Sequence, residues 1–317
     1  MKKFLRNFLY FLVPLLLLMV ICLLLPSTPR ASKSLLFAEI KKDSLLQHVD
    51  SPRIIFLGGS NLSFGLNSEM VEDSLKLHPI NTGVHFSLGL KYMLENSIQY
   101  IKKGDLVVLI PEYAHFNRDY DAGSEELFRS VVEVNPSKLK LLDTRQLLHL
   151  VPYMPKYAFS KLMTSEYFDV EESDIYSVNS FNRYGDVYTH WNLQRRFFLT
   201  EKNATGYINP EVADGIKKFA AQVSKRDATL LVSYPCLQDI SFHHIEPLIR
   251  EVEKLYQKDK FTILGTPERY MMPDSLIFNT PYHLLKSGVD HRTNLLIADL
   301  RNQLRLRKMI IAKNTTD

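Results

Sequence analysis

Short unbroken apolar runs alternate along this chain with stretches that place apolar residues every third or fourth position. Ile54-Ile55-Phe56-Leu57 is the first such run after residue 50, and Gly58-Gly59-Ser60-Asn61 follows at once. A continuous apolar run bounded by glycine reads as a short strand buried on both faces. From Asn67 the spacing turns helical through Met70, Val71 and Leu75, with Asn67 or Ser68 available as a cap. A second strand is expected at 79–83, ending in Asn81-Thr82-Gly83, and a helix at 90–101. Leu106-Val107-Val108-Leu109-Ile110 is the clearest buried strand, closed by Pro111-Glu112-Tyr113. The alternation lapses between about 115 and 210, then returns as a helix at 211–224, a strand at 228–234, a helix at 245–256, a strand at 261–264 and a last helix at 285–304. Strand and helix alternating at this spacing predict right-handed βαβ units. The expected fold is α/β, a three-layer sandwich with a parallel central sheet.

A different pattern precedes it. Lys2, Lys3 and Arg6 flank an uncharged apolar run at 8–25, just long enough to cross a bilayer. The basic flank should stay cytoplasmic and leave the bulk of the chain outside. Pro26-Ser27-Thr28-Pro29-Arg30-Ala31-Ser32 makes a poor signal-peptidase site, so an uncleaved anchor is favoured over a cleaved signal peptide. The chain then divides into a flank and anchor at 1–26, a stem at 27–50 that ends in a short amphipathic helix through Leu35, Leu36, Ile40 and Leu45, an α/β domain at 51–310 and a tail at 311–317. The aromatic-rich stretch at 115–210, with the single tryptophan Trp191, reads as a helical and loop insertion above the strand ends.

Composition narrows the chemistry. A net charge of +4 without a basic, aromatic-interleaved stripe gives no reason to propose nucleic acid. Two cysteines, one of them in the apolar N-terminal run, form neither a zinc pattern nor a plausible disulfide. Gly58-Gly59 lacks the lysine of a phosphate-binding loop, which disfavours nucleotides. No cofactor or metal is implied.

A serine at a strand end beside glycines can stand in the crevice above a parallel sheet, and glycine there can take φ > 0 or let a substrate approach closely. Its hydroxyl needs a base. Of ten histidines, His283 falls between the last strand and the last helix, at the sheet edge expected for Ser60. The Tyr184-Gly185-Asp186 stretch with His190 and Trp191 either contacts a sugar or packs the insertion on the core, packing being the simpler reading.

Gly58-Gly59-Ser60-Asn61, Asn81-Thr82-Gly83 and Tyr282-His283-Leu284 with Gly288 and Thr293 resemble three sequence blocks of the SGNH (GDSL-like) hydrolase superfamily, whose domain is flavodoxin-like. Together with the anchor, they resemble membrane-bound bacterial members related to D-alanyl transfer and alginate O-acetylation proteins. The resemblance implies Ser60 as nucleophile, His283 as base, and Gly83 and Asn61 as helpers of the oxyanion. It departs from the family pattern at Thr280, where an aspartate is usual three residues before the histidine. Asn279 is then the expected orienter of the imidazole, with Glu268 or Asp274 as alternative carboxylates. Glu112 stands where the family carries an Asn-Asp pair and is expected to bind a polar group or orient a loop. What the resemblance implies is an esterase or O-acyltransferase acting on acyl groups, acetyl above all, of cell-envelope or exported polysaccharide. The alternative is an inactive protein of the same fold that binds glycan or assembles with a membrane acyltransferase.

Overall fold

In this computed structural model, which describes residues 1–117, 120–168 and 170–314, seven strands are formed. They are β1 (Arg53–Gly58), β2 (His78–Asn81), β3 (Leu106–Ile110), β4 (Thr229–Ser233), β5 (Leu237–Gln238), β6 (Ile263–Leu264) and β7 (Met271–Met272). Five make one parallel sheet in the order β2-β1-β3-β4-β6, and β5 and β7 pair separately, also in parallel. Every residue of β1 and β3 is buried, which is why both read as unbroken apolar runs.

Chain direction fixes the layers. The helix Ser68–Leu75 joins β1 to β2 in one direction across the sheet. The helices Leu90–Ile98, Pro210–Lys225 and Glu246–Lys258 lie in connections running the other way. Right-handed crossovers then place the first helix on one face and the other three on the opposite face. The last helix, Lys286–Asn314, packs against Ser68–Leu75 and completes the first layer. The three-layer α/β sandwich expected from the hydrophobic pattern is therefore present. Strand order reverses between β1 and β3, and ligands of open α/β sheets bind beyond the strand ends at such a point.

One buried ion pair fastens the lower edge. Arg53 and Asp105 are both fully buried with Nε 3.2 Å from Oδ1, while Arg53 also donates to the carbonyls of Leu46 (2.6 Å), Val49 (2.7 Å) and Tyr100 (2.8 Å). This arginine ties β1 and β3 to the end of the helix Ala38–His48.

That helix differs from the expected stem. Its buried residues are Ala38, Glu39, Lys42 and Leu46, whereas Ile40, expected on the apolar face, is exposed. Glu39 accepts from the Tyr92 hydroxyl at 2.8 Å, and Lys42 donates to the carbonyls of Gly83 and Gly185. Polar partners from distant parts of the chain have turned the buried face. The last helix is also longer than expected and runs through to Asn314; residues 315–317 lie outside the described residues.

The helix Lys2–Leu24 is long and apolar enough to cross a membrane, and Cys22 is its buried residue. The insertion is a succession of short helical turns. Asp186 pins it: its carboxylate accepts from the Ser68 N–H (2.8 Å), the Ser68 hydroxyl (2.7 Å) and Asn81 Nδ2 (2.8 Å). Tyr184 and His190 are buried as well, with His190 Nε2 donating to the Leu284 carbonyl at 3.0 Å. The Tyr184-Gly185-Asp186 stretch and His190 pack the insertion on the core.

Candidate active site at the β1 and β3 strand ends

Ser60 opens a four-residue helical turn, Ser60–Ser63, immediately past β1. The two glycines before it are needed for space. A Cβ on Gly58 would stand 2.4 Å from the Ile110 carbonyl oxygen, and one on Gly59 would stand 2.8 Å from Glu112 Oε1 and 3.0 Å from Phe86 Cα. Gly59 has φ −91°, so the expectation of a positive φ is not met and close packing is the reason for glycine.

The end of β3 supplies the contact that organises this turn. Glu112, 3% exposed, accepts from the Ser60 hydroxyl at 3.1 Å and from the Asn61 N–H at 2.9 Å, both through Oε1. Its own N–H donates to His115 Nδ1 at 3.2 Å. Burial pushes the Glu112 carboxyl up to about 7, against the pull of the hydrogen bonds from Asn61 and Ser60.

His283 reaches the same crevice from the loop before the last helix. Its N–H donates to the Thr280 carbonyl at 3.2 Å, and its carbonyl accepts from the Phe278 N–H at 2.8 Å, which closes a tight turn. The ring stacks on Phe64, with centroids 4.1 Å apart and planes 12° from parallel. Nδ1 lies 2.9 Å from Asn279 Oδ1, and Asn279 Nδ2 donates to the Tyr176 hydroxyl at 2.7 Å. With an amide oxygen as acceptor, Nδ1 carries the proton and Nε2 keeps its lone pair. Burial first, then the neighbouring His190 and His85, hold the imidazole well below the ordinary histidine range, so it is neutral at pH 7.

Ser60, Phe64, His85, Glu112, Tyr176 and His283 line one cavity of about 250 Å³. The structure thus brings together Ser60, His283, Glu112 and, one bond behind the imidazole, Asn279. The Ser60 hydroxyl is hydrogen-bonded to Glu112 in this conformation, and among the described residues no hydrogen bond joins it to His283.

Gly83 and Asn61 sit differently from their expected places. The Gly83 N–H donates to Asn81 Oδ1 at 3.0 Å, and its carbonyl accepts from the Ser63 hydroxyl and from Lys42. A Cβ on Gly83 would meet the Gly59 carbonyl oxygen at 2.4 Å, so this glycine backs the serine turn from behind. Asn61 is fully buried: Nδ2 donates to the Ile110 carbonyl at 3.2 Å and Oδ1 accepts from Arg292 at 3.3 Å. It fastens the ends of β1 and β3 to the last helix. The Ser60 N–H stands at the first position of its helical turn, where the helix itself offers no acceptor.

The alternative carboxylates are engaged elsewhere. Glu268 pairs with Arg250 at 2.5 Å, and Asp274 pairs with Arg195 and accepts from Gln238. Neither orients His283; Asn279 does. The sequence reading missed Tyr176 and Glu201 and gave Tyr282 no role beyond the block around His283, yet all three line the crevice. The first two come from the insertion, where only the density of aromatics hinted at a role. Among the described residues no group of three or more His, Cys, Asp or Glu is arranged to hold a metal. A larger cavity of about 400 Å³ beside the helix Pro210–Lys225 is lined by Lys91, Asp143, Arg145 and Glu211, which form ion pairs there, and contains neither nucleophile nor histidine.

No protein-family profile and no curated protein matches the chain. Among solved structures it is similar to protein YxiM from Bacillus subtilis, with a TM-score of 0.38 and 13% identity over 79% of this chain and 56% of that one. It is also similar to an acetyl xylan esterase, Est2A, from the rumen bacterium Butyrivibrio proteoclasticus, with a TM-score of 0.35 and 12% identity. That likeness covers 81% of this chain and 65% of the esterase, so the chain spans less than two thirds of either neighbour.

Proposed function

We propose that this protein is a serine acyl-ester enzyme of SGNH type, anchored by its N-terminal helix with the α/β domain on the extracytoplasmic side. The observation that carries the proposal is the shared crevice of Ser60 and His283, with the imidazole held at Nδ1 so that Nε2 is free to accept a proton. Ser60 Oγ attacks an ester carbonyl while its proton passes to Nε2, and the leaving alcohol takes that proton back. The Ser60 N–H stabilises the oxyanion, and loss of one such donor typically costs about 10²–10³ in rate. Asn279 orients the ring without offsetting imidazolium charge, which suits a slow or specialised enzyme. Whether water or a second alcohol takes the acyl group decides between esterase and O-acyltransferase. The sequence resemblance and the anchor support acetyl-bearing envelope or exported polysaccharide as substrate, with a membrane acyltransferase as partner.

A second reading is favoured by one contact. The Ser60 hydroxyl is bonded to Glu112, not to His283, as it would be in a crevice that only holds a glycan. Turnover of p-nitrophenyl acetate by the full-length protein in detergent separates the two. The enzyme reading expects release of p-nitrophenol that Ser60→Ala abolishes. Glycan binding without turnover, unchanged in Ser60→Ala, would establish the binding protein instead.

A further inference from the structure

One stretch of the insertion exposes a dense run of apolar side chains. Leu147, Leu148, Val151, Leu162, Met163 and Phe168 are each between 42% and 68% exposed, whereas the helices Leu90–Ile98, Pro210–Lys225 and Glu246–Lys258 expose no large apolar residue. Leu147 and Leu148 stand four and three residues before Val151, on one side of the helix Thr144–Leu150 and the turn that follows it. Apolar exposure this dense marks a surface that meets something other than water. Its place in the fold says what. The helix Met154–Ser160 packs against the apolar helix Lys2–Leu24, whose buried residue, Cys22, lies in its last turn. Lys161, 2% exposed, donates from Nζ to the carbonyls of Leu25 and Pro26, both at 2.9 Å, which the end of that helix leaves without an internal partner. The Thr28 hydroxyl donates to Glu166 at 2.7 Å, and Arg30 Nε donates to the Ser165 carbonyl at 2.9 Å. These bonds fasten the insertion to the end of the apolar helix, and Leu162 and Met163, next to Lys161 in the chain, stand at that level.

Resting on the reading of Lys2–Leu24 as a membrane span, we propose that residues 144–168 seat the α/β domain on the bilayer, with these apolar side chains in the boundary between headgroups and acyl chains where the span ends. Lipid is the occupant because a surface fastened to the exit of a span lies at the bilayer edge, and the patch continues the apolar face that the span itself turns to the acyl chains. Immersion there takes the six side chains out of water and adds a second attachment beside the span, so the domain is held at one tilt. The seat also sets where the crevice stands. Leu35 and Tyr176 both line the crevice, and they follow Leu25 and Phe168 by ten and eight residues. At about 3.5 Å per extended residue, eight residues reach at most about 28 Å, so the crevice wall at Tyr176 stands within about 30 Å of the seat.

The test places the full-length protein in phosphatidylcholine nanodiscs and attaches a nitroxide to Leu148→Cys or Leu162→Cys, one position at a time. Both side chains are exposed, so neither label disturbs the core, and the native Cys22 and Cys236 are buried. Leu17→Cys, 58% exposed on the apolar helix, is the reference for lipid, and Lys254→Cys, with its side chain 68% exposed on the helix Glu246–Lys258, is the reference for water. Relaxation of each label by oxygen, which concentrates in lipid, is compared with relaxation by a water-soluble nickel chelate. No other protein is present, and a label shielded by protein alone would lose both effects. The expected result is loss of nickel relaxation with oxygen relaxation kept at Leu148 and Leu162, as at Leu17. Nickel relaxation at both positions equal to that at Lys254, with Leu17 shielded, would overturn the seat, leave the span standing and turn the patch over to a protein partner. Nickel relaxation at Leu17 as well would overturn span and seat together.

Discussion

Replacing Glu112 by glutamine isolates the contact on which the serine turn is built. Glutamine keeps an oxygen that can accept from the Ser60 hydroxyl and the Asn61 N–H, but it cannot ionise. The wild-type carboxyl titrates at about 7 when folded, against its ordinary 4.5, because burial disfavours the charged form. Between those two pH values the folded protein keeps a proton that the unfolded chain has released. The contribution to stability is therefore fully present below about pH 4.5 and is lost as pH rises through 7. The difference corresponds to about 3 kcal/mol once the carboxyl is ionised in both states. Measured against wild type, Glu112→Gln should gain about 2–3 kcal/mol of relative stability between about pH 5 and pH 8. Any constant effect of the substitution cancels in that comparison. Urea unfolding in detergent, followed by the fluorescence of the single tryptophan, Trp191, supplies the measurement. A wild-type-to-variant difference that is flat across this range would refute the argument. Acylation of Ser60 should follow the same titration: an ionised Glu112 repels the developing oxyanion, so the variant's rate advantage should grow above pH 7, reaching on the order of tenfold.

Three further substitutions test other parts of the account. Asn279→Asp supplies the charge that the orienter lacks; since the opposite change costs about 10⁴ in a serine protease, labelling of Ser60 should quicken at least about tenfold and the acid limb of its pH profile should move toward neutrality. Gly59→Ala drives a methyl group into Glu112 and Phe86 and should cost about 1–3 kcal/mol in a urea titration, with no loss expected only if the turn can shift as a whole. Asp105→Ala leaves Arg53 buried without its carboxylate and should cost about 3–5 kcal/mol, whereas a loss below about 1 kcal/mol would show that the carbonyls around Arg53 suffice.

The central strands were legible because burial on both faces forces unbroken apolar runs, and β1 and β3 stand where those runs lie. The pairing of β5 with β7 was not legible, since two residues carry no periodicity. Helix Ala38–His48 was misread on its buried face because Glu39 and Lys42 are buried against partners far along the chain, which a hydrophobic pattern cannot register. The serine and histidine could be found from their places relative to strands and helices. Their surroundings could not. Asn61 and Gly83 look like donors to an oxyanion, yet each spends its polar groups on holding the turn together, and only the register of β1 beside β3 brings Glu112 to Ser60. Tyr176 and Glu201 reach the crevice through an insertion with no regular pattern to place it.

Reaction of the full-length protein with a fluorophosphonate, followed by peptide mapping, tests the central claim most directly. The account predicts one adduct, on Ser60, formed by the wild type, absent in Ser60→Ala and strongly slowed in His283→Ala. An unlabelled Ser60, or labelling at the same rate without His283, would contradict it.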